Sequence, residues 1–249
     1  MMRKAIVNSL LGLSSLLGAG AHAASSVQTQ AFTMAYGGGA GAGEIHLVSN
    51  GESSYRIAFD SMASDITGQA ASGYLEAFDT DGNGRGVTGS TWGSYTFHVA
   101  DGYRITGLAW EGSVYGGIEA GVHEDRVGTA TTTFDLAWSR ATPSGSEPLD
   151  ALALQDLAGL QMFSLAPPMG TAYGQDFTLD FFASAAAAAQ AVVYELPDGS
   201  LGVAASYAGI GLQDIALSVY VAPVPEPATY GMLLAGLGLL GTAARLRRR

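Results

Sequence analysis

The chain has 249 residues, 35 of them glycine, no cysteine, and a formal net charge of −11. Without cysteine there is no disulfide framework, no thiol nucleophile and no Cys-ligated zinc or iron–sulfur centre, so stability must come from a packed core or bound ions. Between Ala24 and Ala222 stand 21 acidic residues, five arginines (Arg56, Arg85, Arg104, Arg126, Arg140) and no lysine, a net charge of −16 that repels nucleic acid and favours solubility.

Residues 1–23 read as an export signal. Arg3 and Lys4 give a positive start, Ala5–Gly18 is a short apolar run, and Ala21-His22-Ala23 supplies small residues for signal peptidase. Sec export and cleavage after Ala23 are expected. The following 24–222 segment is long enough to bury the core of one domain.

Short runs of β-type composition then follow one another, separated by glycine or Asn-Gly: AFTMAY (Ala31–Tyr36), EIHLVS (Glu44–Ser49), SYRIAFD (Ser54–Asp60), GYLEAF, SYTFHVA, GYRITGLAWEG and TATTTFDLAW. Alternation of period two places Tyr95, Phe97 and Val99 on one face, and likewise Phe134, Leu136 and Trp138. Farther on, SEPLDALALQDLAGLQ (Ser146–Gln161) has a cap-like serine and sets Leu149, Leu152, Ala153, Leu157 and Leu160 on one helical face, so a short helix is expected there. ASAAAAAQA (Ala183–Ala191) fits either a helical excursion or a strand whose small side chains let another layer approach. A hairpin with a Pro-Asp-Gly connection and a last strand, Asp214–Val221, complete the series. The fold class expected is mainly all-β, an antiparallel β-sandwich or jelly-roll-like ectodomain with one short helix.

Three places hold candidate chemistry. In DTDGNGRG, Asp79, Asp81 and Asn83 with Gly84 match the first half of a calcium-loop signature, with oxygen ligands on alternate residues and a glycine at the sharp turn. The second half departs from it, since Ser90 stands where the bidentate glutamate belongs. A calcium site completed by a distant carboxylate and a plain polar turn are the two readings. Trp92, beside a glycine-rich stretch, is a candidate for stacking on a sugar ring, whereas Trp138 aligns with core residues. His123-Glu124-Asp125 reads as a polar loop, and His46 and His98 as ordinary sheet residues. No serine sits in a nucleophile-elbow sequence, so a hydrolase triad is unsupported.

The tail has three parts. Prolines precede Ala228–Ala244, which is 17 residues without a charge, and Arg245, Arg247, Arg248 and Arg249 close the chain. A helix of that length reaches about 25 Å, and Leu246 with snorkelling arginines brings it to the span of an inner membrane, arginines on the cytoplasmic side. A C-terminal transmembrane helix is expected. With Val224-Pro225-Glu226-Pro227-Ala228-Thr229 ahead of it, residues 223–249 strongly resemble the PEP-CTERM sorting signal of exported bacterial proteins. The resemblance implies processing by an exosortase, transient anchoring in the inner membrane, and association with the surface, biofilm or exopolysaccharide matrix of a Gram-negative bacterium. More weakly, GYRITGLAWEGSVYGG (Gly102–Gly117) is similar to the variable β domains found ahead of such tails.

The function expected is therefore that of an exported, non-enzymatic structural protein of the cell surface or matrix, with no cofactor. A carbohydrate-binding module, with or without calcium, is the alternative, and a matrix-polymer hydrolase stands third.

Overall fold

A computed structural model describes residues 25–41, 43–68, 73–142, 145–168 and 170–224, with 232 and 235. The export signal, the transmembrane helix and most of the sorting motif expected from the sequence fall outside these residues. Among the described residues, no helix is long and apolar enough to cross a membrane.

In chain order the strands are β1 (Ser26–Gln28), β2 (Phe32–Ala40), β3 (Ile45–Asn50) and β4 (Ser54–Phe59). Helix α1 (Met62–Thr67) comes next, then β5 (Tyr74–Asp79), β6 (Arg85–Val99), β7 (Tyr103–Glu119), β8 (Val122–His123) and β9 (Arg126–Val127). The second half holds β10 (Thr129–Thr142), β11 (Gly145–Gln155), β12 (Gly159–Leu165), β13 (Asp176–Gln190), β14 (Val192–Glu195), β15 (Leu201–Ala204) and β16 (Ser206–Pro223). One sheet runs β1-β2-β6-β13-β10-β11, and the other runs β12-β7-β16-β4-β3, with β5 beside the first half of β16. Their pairings are antiparallel. The result is a mainly β, sandwich-like fold.

Strict alternation sorts the side chains. Along β6, Thr91, Gly93, Tyr95, Phe97 and Val99 face inward while Trp92, Thr96 and His98 are exposed. Along β13, Phe177, Leu179, Phe181, Ala183, Ala185, Ala187 and Ala189 are buried. One core joins the sheets: Phe59 of β4 packs on Trp110 of β7 at 4.5 Å between ring centroids, and Trp110 packs on Phe181 at 5.4 Å and meets Trp138 edge-on at 6.4 Å. Trp138 is buried, as its alignment with Phe134 and Leu136 requires.

The helix expected at Ser146–Gln161 is not formed; the segment becomes β11, a turn and β12. Pro148 has no N–H for a helix interior and sits instead at the bulge where β11 slips past Trp138 and Ser139. Only Leu152 and Leu154 keep a period of two, and both are half-buried; Leu149 falls at the bulge, and Leu160, assigned to the apolar helical face, is 63% exposed. The helix that does form, α1, inserts Met62 and Ile66 into the core and ends at Gly68, whose left-handed backbone sends its N–H to Ser64 O. Residues 183–190 of the alanine run belong to β13, because helix propensity is worth only tenths of a kcal/mol per residue and two flanking strands override it.

Alternation in this run makes a direct test. Ala187→Leu forces a larger side chain between the sheets and is expected to lower stability by about 1–3 kcal/mol in urea unfolding. Ala188→Leu, one residue away on the solvent side, is expected to stay within about 0.5 kcal/mol.

Candidate functional site

The outer face of the β1-β2-β6-β13-β10-β11 sheet is paved with small and hydroxyl side chains. Register places Ala40, Trp92, Phe182, Ala137 and Ala151 in one row across β2, β6, β13, β10 and β11. On one side lies the row Gly38, Ser94, Asp180, Ser139 and Pro148; on the other lie Ser90, Ser184, Asp135 and Ala153. Trp92 and Phe182 are 51% and 47% exposed, and they face each other on neighbouring strands, where opposed Cβ atoms are about 4.5–5.5 Å apart. Two exposed aromatic residues thus sit opposite one another on neighbouring strands among alanine and serine, bordered in register by Asp180 and Asp135.

Beside Phe182 the bulge in the β10–β11 pairing opens a hollow of about 450 Å³, walled by Trp138, Ser139, Pro148, Asp150, Asp180 and Phe182. Trp138 is 2% exposed and its Nε1–H has no partner. The arrangement offers flat apolar faces next to hydroxyl and carboxylate acceptors, the combination that holds a polyhydroxylated ring by dispersion and hydrogen bonding.

Trp92 was legible in the sequence as a candidate contact, while Phe182 was passed over. Its signal is simple: in a strand whose inward positions are Phe177, Leu179 and Phe181, the second residue of the Phe181-Phe182 pair must point outward.

Asp79, Asp81 and Asn83 are elsewhere. Asp79 ends β5 and turns fully inward. Its Oδ1 accepts the N–H groups of Asp81 and Gly82, and its Oδ2 accepts those of Gly84 and Ala191, at 2.8 to 3.1 Å. Gly84, with φ of 75°, allows the turn to close on the carboxylate. Asp81 in turn accepts the Asn83 N–H and pairs with Arg85 at 2.9 Å. These donors occupy the lone pairs a cation needs, and among the described residues no group of three or more acidic or histidine side chains is arranged to hold a metal ion. The first half of the calcium-loop signature serves a hydrogen-bonded turn that ties β5 to the junction after β13. Ala191 lies nine residues along from Phe182, about 30 Å of extended strand, so this turn and the aromatic pair are separate places.

The Ala191 N–H, with those of Asp81 and Gly84, holds the Asp79 carboxyl well below the usual carboxylate range against the opposing effect of burial. A lowered folded-state value means stability that is complete above the ordinary value of about 3.9 and is lost on acidification toward the depressed one. Asp79→Asn is expected to lower Tm by several degrees at pH 7, the gap to the wild type narrowing below about pH 4. Added calcium is expected to shift Tm in neither protein.

Each described histidine pairs with a neighbour: His46 Nδ1 with Asp60 at 2.5 Å, His98 Nδ1 with Asp176 at 2.6 Å, and His123 stacked on Tyr194 at 3.5 Å between centroids. His123–Asp125 falls in the β8–β9 hairpin, where Glu124 takes a left-handed φ of 55°.

No curated protein matches the chain in sequence. Two solved structures align with it loosely. TmCBM61, in complex with beta-1,4-galactotriose, has 9% identity and a TM-score of 0.21, over 65% of this chain and 96% of that one. A family 11 carbohydrate-binding module from Clostridium thermocellum, in complex with a beta-1,3-1,4-mixed-linked tetrasaccharide, has 10% identity and a TM-score of 0.22, over 70% and 94%. Residues 223–249 match the PEP-CTERM protein-sorting motif. Prolines, apolar run and arginines of the tail therefore form a PEP-CTERM sorting motif, a C-terminal membrane-associated signal of the kind that indicates export and processing by an exosortase.

Proposed function

We propose that this protein is a non-enzymatic component of the cell surface or extracellular matrix whose sandwich holds neutral polysaccharide on the Trp92–Phe182 platform. The observation that carries the reading is the placement of these two exposed aromatic residues opposite one another on a face otherwise built mostly of small and hydroxyl side chains, with Asp135 and Asp180 beside them. Both rings are about half exposed and lie outside the buried core. An apolar sugar face stacks on each ring, its hydroxyls reach Asp135, Asp180 and the flanking serines, and the hollow beside Phe182 takes a neighbouring unit of the polymer. Electrostatics select the ligand class. With a net charge of −16 over residues 24–222 and carboxylates at the platform, acidic polymers are repelled and neutral ones admitted.

Electrophoresis of the full chain in detergent, through gels containing galactan, mixed-linkage β-glucan, dextran or alginate, tests this. Retardation is expected in at least one neutral polymer, none in alginate, and no change with chelator. Trp92→Ala and Phe182→Ala should each weaken retention about tenfold, or about 1.4 kcal/mol. Equal mobility of the wild type and the double variant in every gel would overturn glycan binding on the Trp92–Phe182 platform.

A further inference from the structure

The opposite sheet carries its own outward aromatics, and they are arranged differently. On its outer face, one row across β12, β7, β16 and β5 reads Leu160, Tyr115, Gly211 and Tyr74. Tyr74 lies across Gly211 and meets Tyr115 edge-on, ring centroids 6.1 Å apart. A Cβ at position 211 would come within 2.7 Å of the Tyr74 ring, so glycine is what lets the two tyrosines meet over β16. Four residues back along β16 the same device recurs: Tyr207 lies over Gly209, its hydroxyl donating to Glu76 at 2.9 Å, with Phe78 at 6.4 Å beyond.

The surface so made is continuous. Phe78 is 58% exposed, Tyr115 43% and Leu160 63%. From the Tyr207 row to the Gln213 row it extends six residues along β16, about 20 Å. It ends in a hollow of about 740 Å³ walled by Arg56, Glu111, Leu160, Met162, Gln213 and Asp214.

We propose that this face is a second binding surface for neutral polysaccharide, so that one domain joins two glycan strands on its two opposite sides. The inference rests on the reading of Trp92 and Phe182 as a glycan platform. Charge decides the occupant. Arg56, the cation at the hollow, is already engaged by Glu111 at 3.7 Å and by the Asp214 carbonyl at 3.2 Å, so an anionic lipid or acidic polymer finds no free counter-charge there. A second copy of the chain would bring one strongly acidic domain against another. An uncharged polymer meets neither obstacle, and the exposed Glu76 and Gln213 along the stripe accept its hydroxyls. Two sites on opposite sides of a sandwich cannot engage one straight strand together; they bridge separate ones.

The test uses the full chain in detergent, the same gels of galactan, mixed-linkage β-glucan, dextran and alginate, and three variants: Trp92→Ala/Phe182→Ala, Tyr74→Ala/Tyr115→Ala, and all four together. In the polymer that retards the wild type most, each pair is expected to weaken retention about tenfold and the quadruple variant to abolish it. Wild type should raise the low-shear viscosity of that polymer in solution, and neither pair variant should. Tyr115→Ser alone repeats the comparison if the tyrosine pair variant does not fold. Loss of all binding in the Trp92/Phe182 variant would overturn the second surface and leave the first. Full binding in that variant, lost on changing the tyrosines, would overturn the first and leave the second. Mobility unchanged in every polymer would overturn both, and a wild-type dimer in sedimentation that the tyrosine variant dissociates would assign the face to self-association and overturn its role toward glycan.

Discussion

The spacing between the two sheets is governed by β13. Its inward side begins with Phe177, Leu179 and Phe181 and continues with four alanines, Ala183 to Ala189, all buried. Where the aromatics stand, the layers are propped apart and filled by Phe97, Trp110 and Trp138. Alanine, reaching only as far as Cβ, lets facing layers approach, and β13 comes within 8 Å of both β5 and β16 across the sandwich. That closeness puts the Asp79 carboxylate, at the end of β5, within 2.8 Å of the Ala191 N–H just past β13. A bulkier inward run would break this link between the sheets.

Much of the fold was legible because period-two patterns carry their own geometry. Tyr95, Phe97 and Val99, or Phe134, Leu136 and Trp138, are inward in the structure as their spacing demands. The failures have specific causes. The bulge at Leu149 breaks the period of two along this run, so the helical spacing is the visible one, and only pairing with β10 makes its first part a strand. Alanine run 183–189 has no polar–apolar contrast, so its side chains give no period to read. Asp79 and Asp81 resemble ligands because a calcium loop and a tight turn use the same chemistry, carboxylate oxygens close to backbone N–H groups. The Ala191 donor, 112 residues away, completes the turn's hold on Asp79 and is invisible to a local sequence motif. The platform was half visible: Trp92 by its type, Phe182 only once the inward parity of β13 is known.

Under the proposed reading, the two outer faces bind glycan at a few places without being adhesive everywhere. Small side chains keep most of the β2-β6-β13-β10 surface flat and unreactive, leaving the Trp92–Phe182 pair to stand out. On the other face glycines in β16 play the opposite part, lowering the floor so that tyrosines lie flat across it. The acidic character of the domain covers both, opposing association of one copy with another.

Val224 gives its N–H to Gly102 O, and Pro223, the first residue of the sorting motif, is still paired with Tyr103. The motif thus begins on the last residues of β16, a strand flanked by β7 on one side and by β4 and β5 on the other. Traction applied at this exit runs lengthwise along an interior strand. Its ladder of hydrogen bonds is loaded in shear, all together, rather than peeled one after another from an edge. Pulling at this end would meet more resistance than pulling on an edge strand.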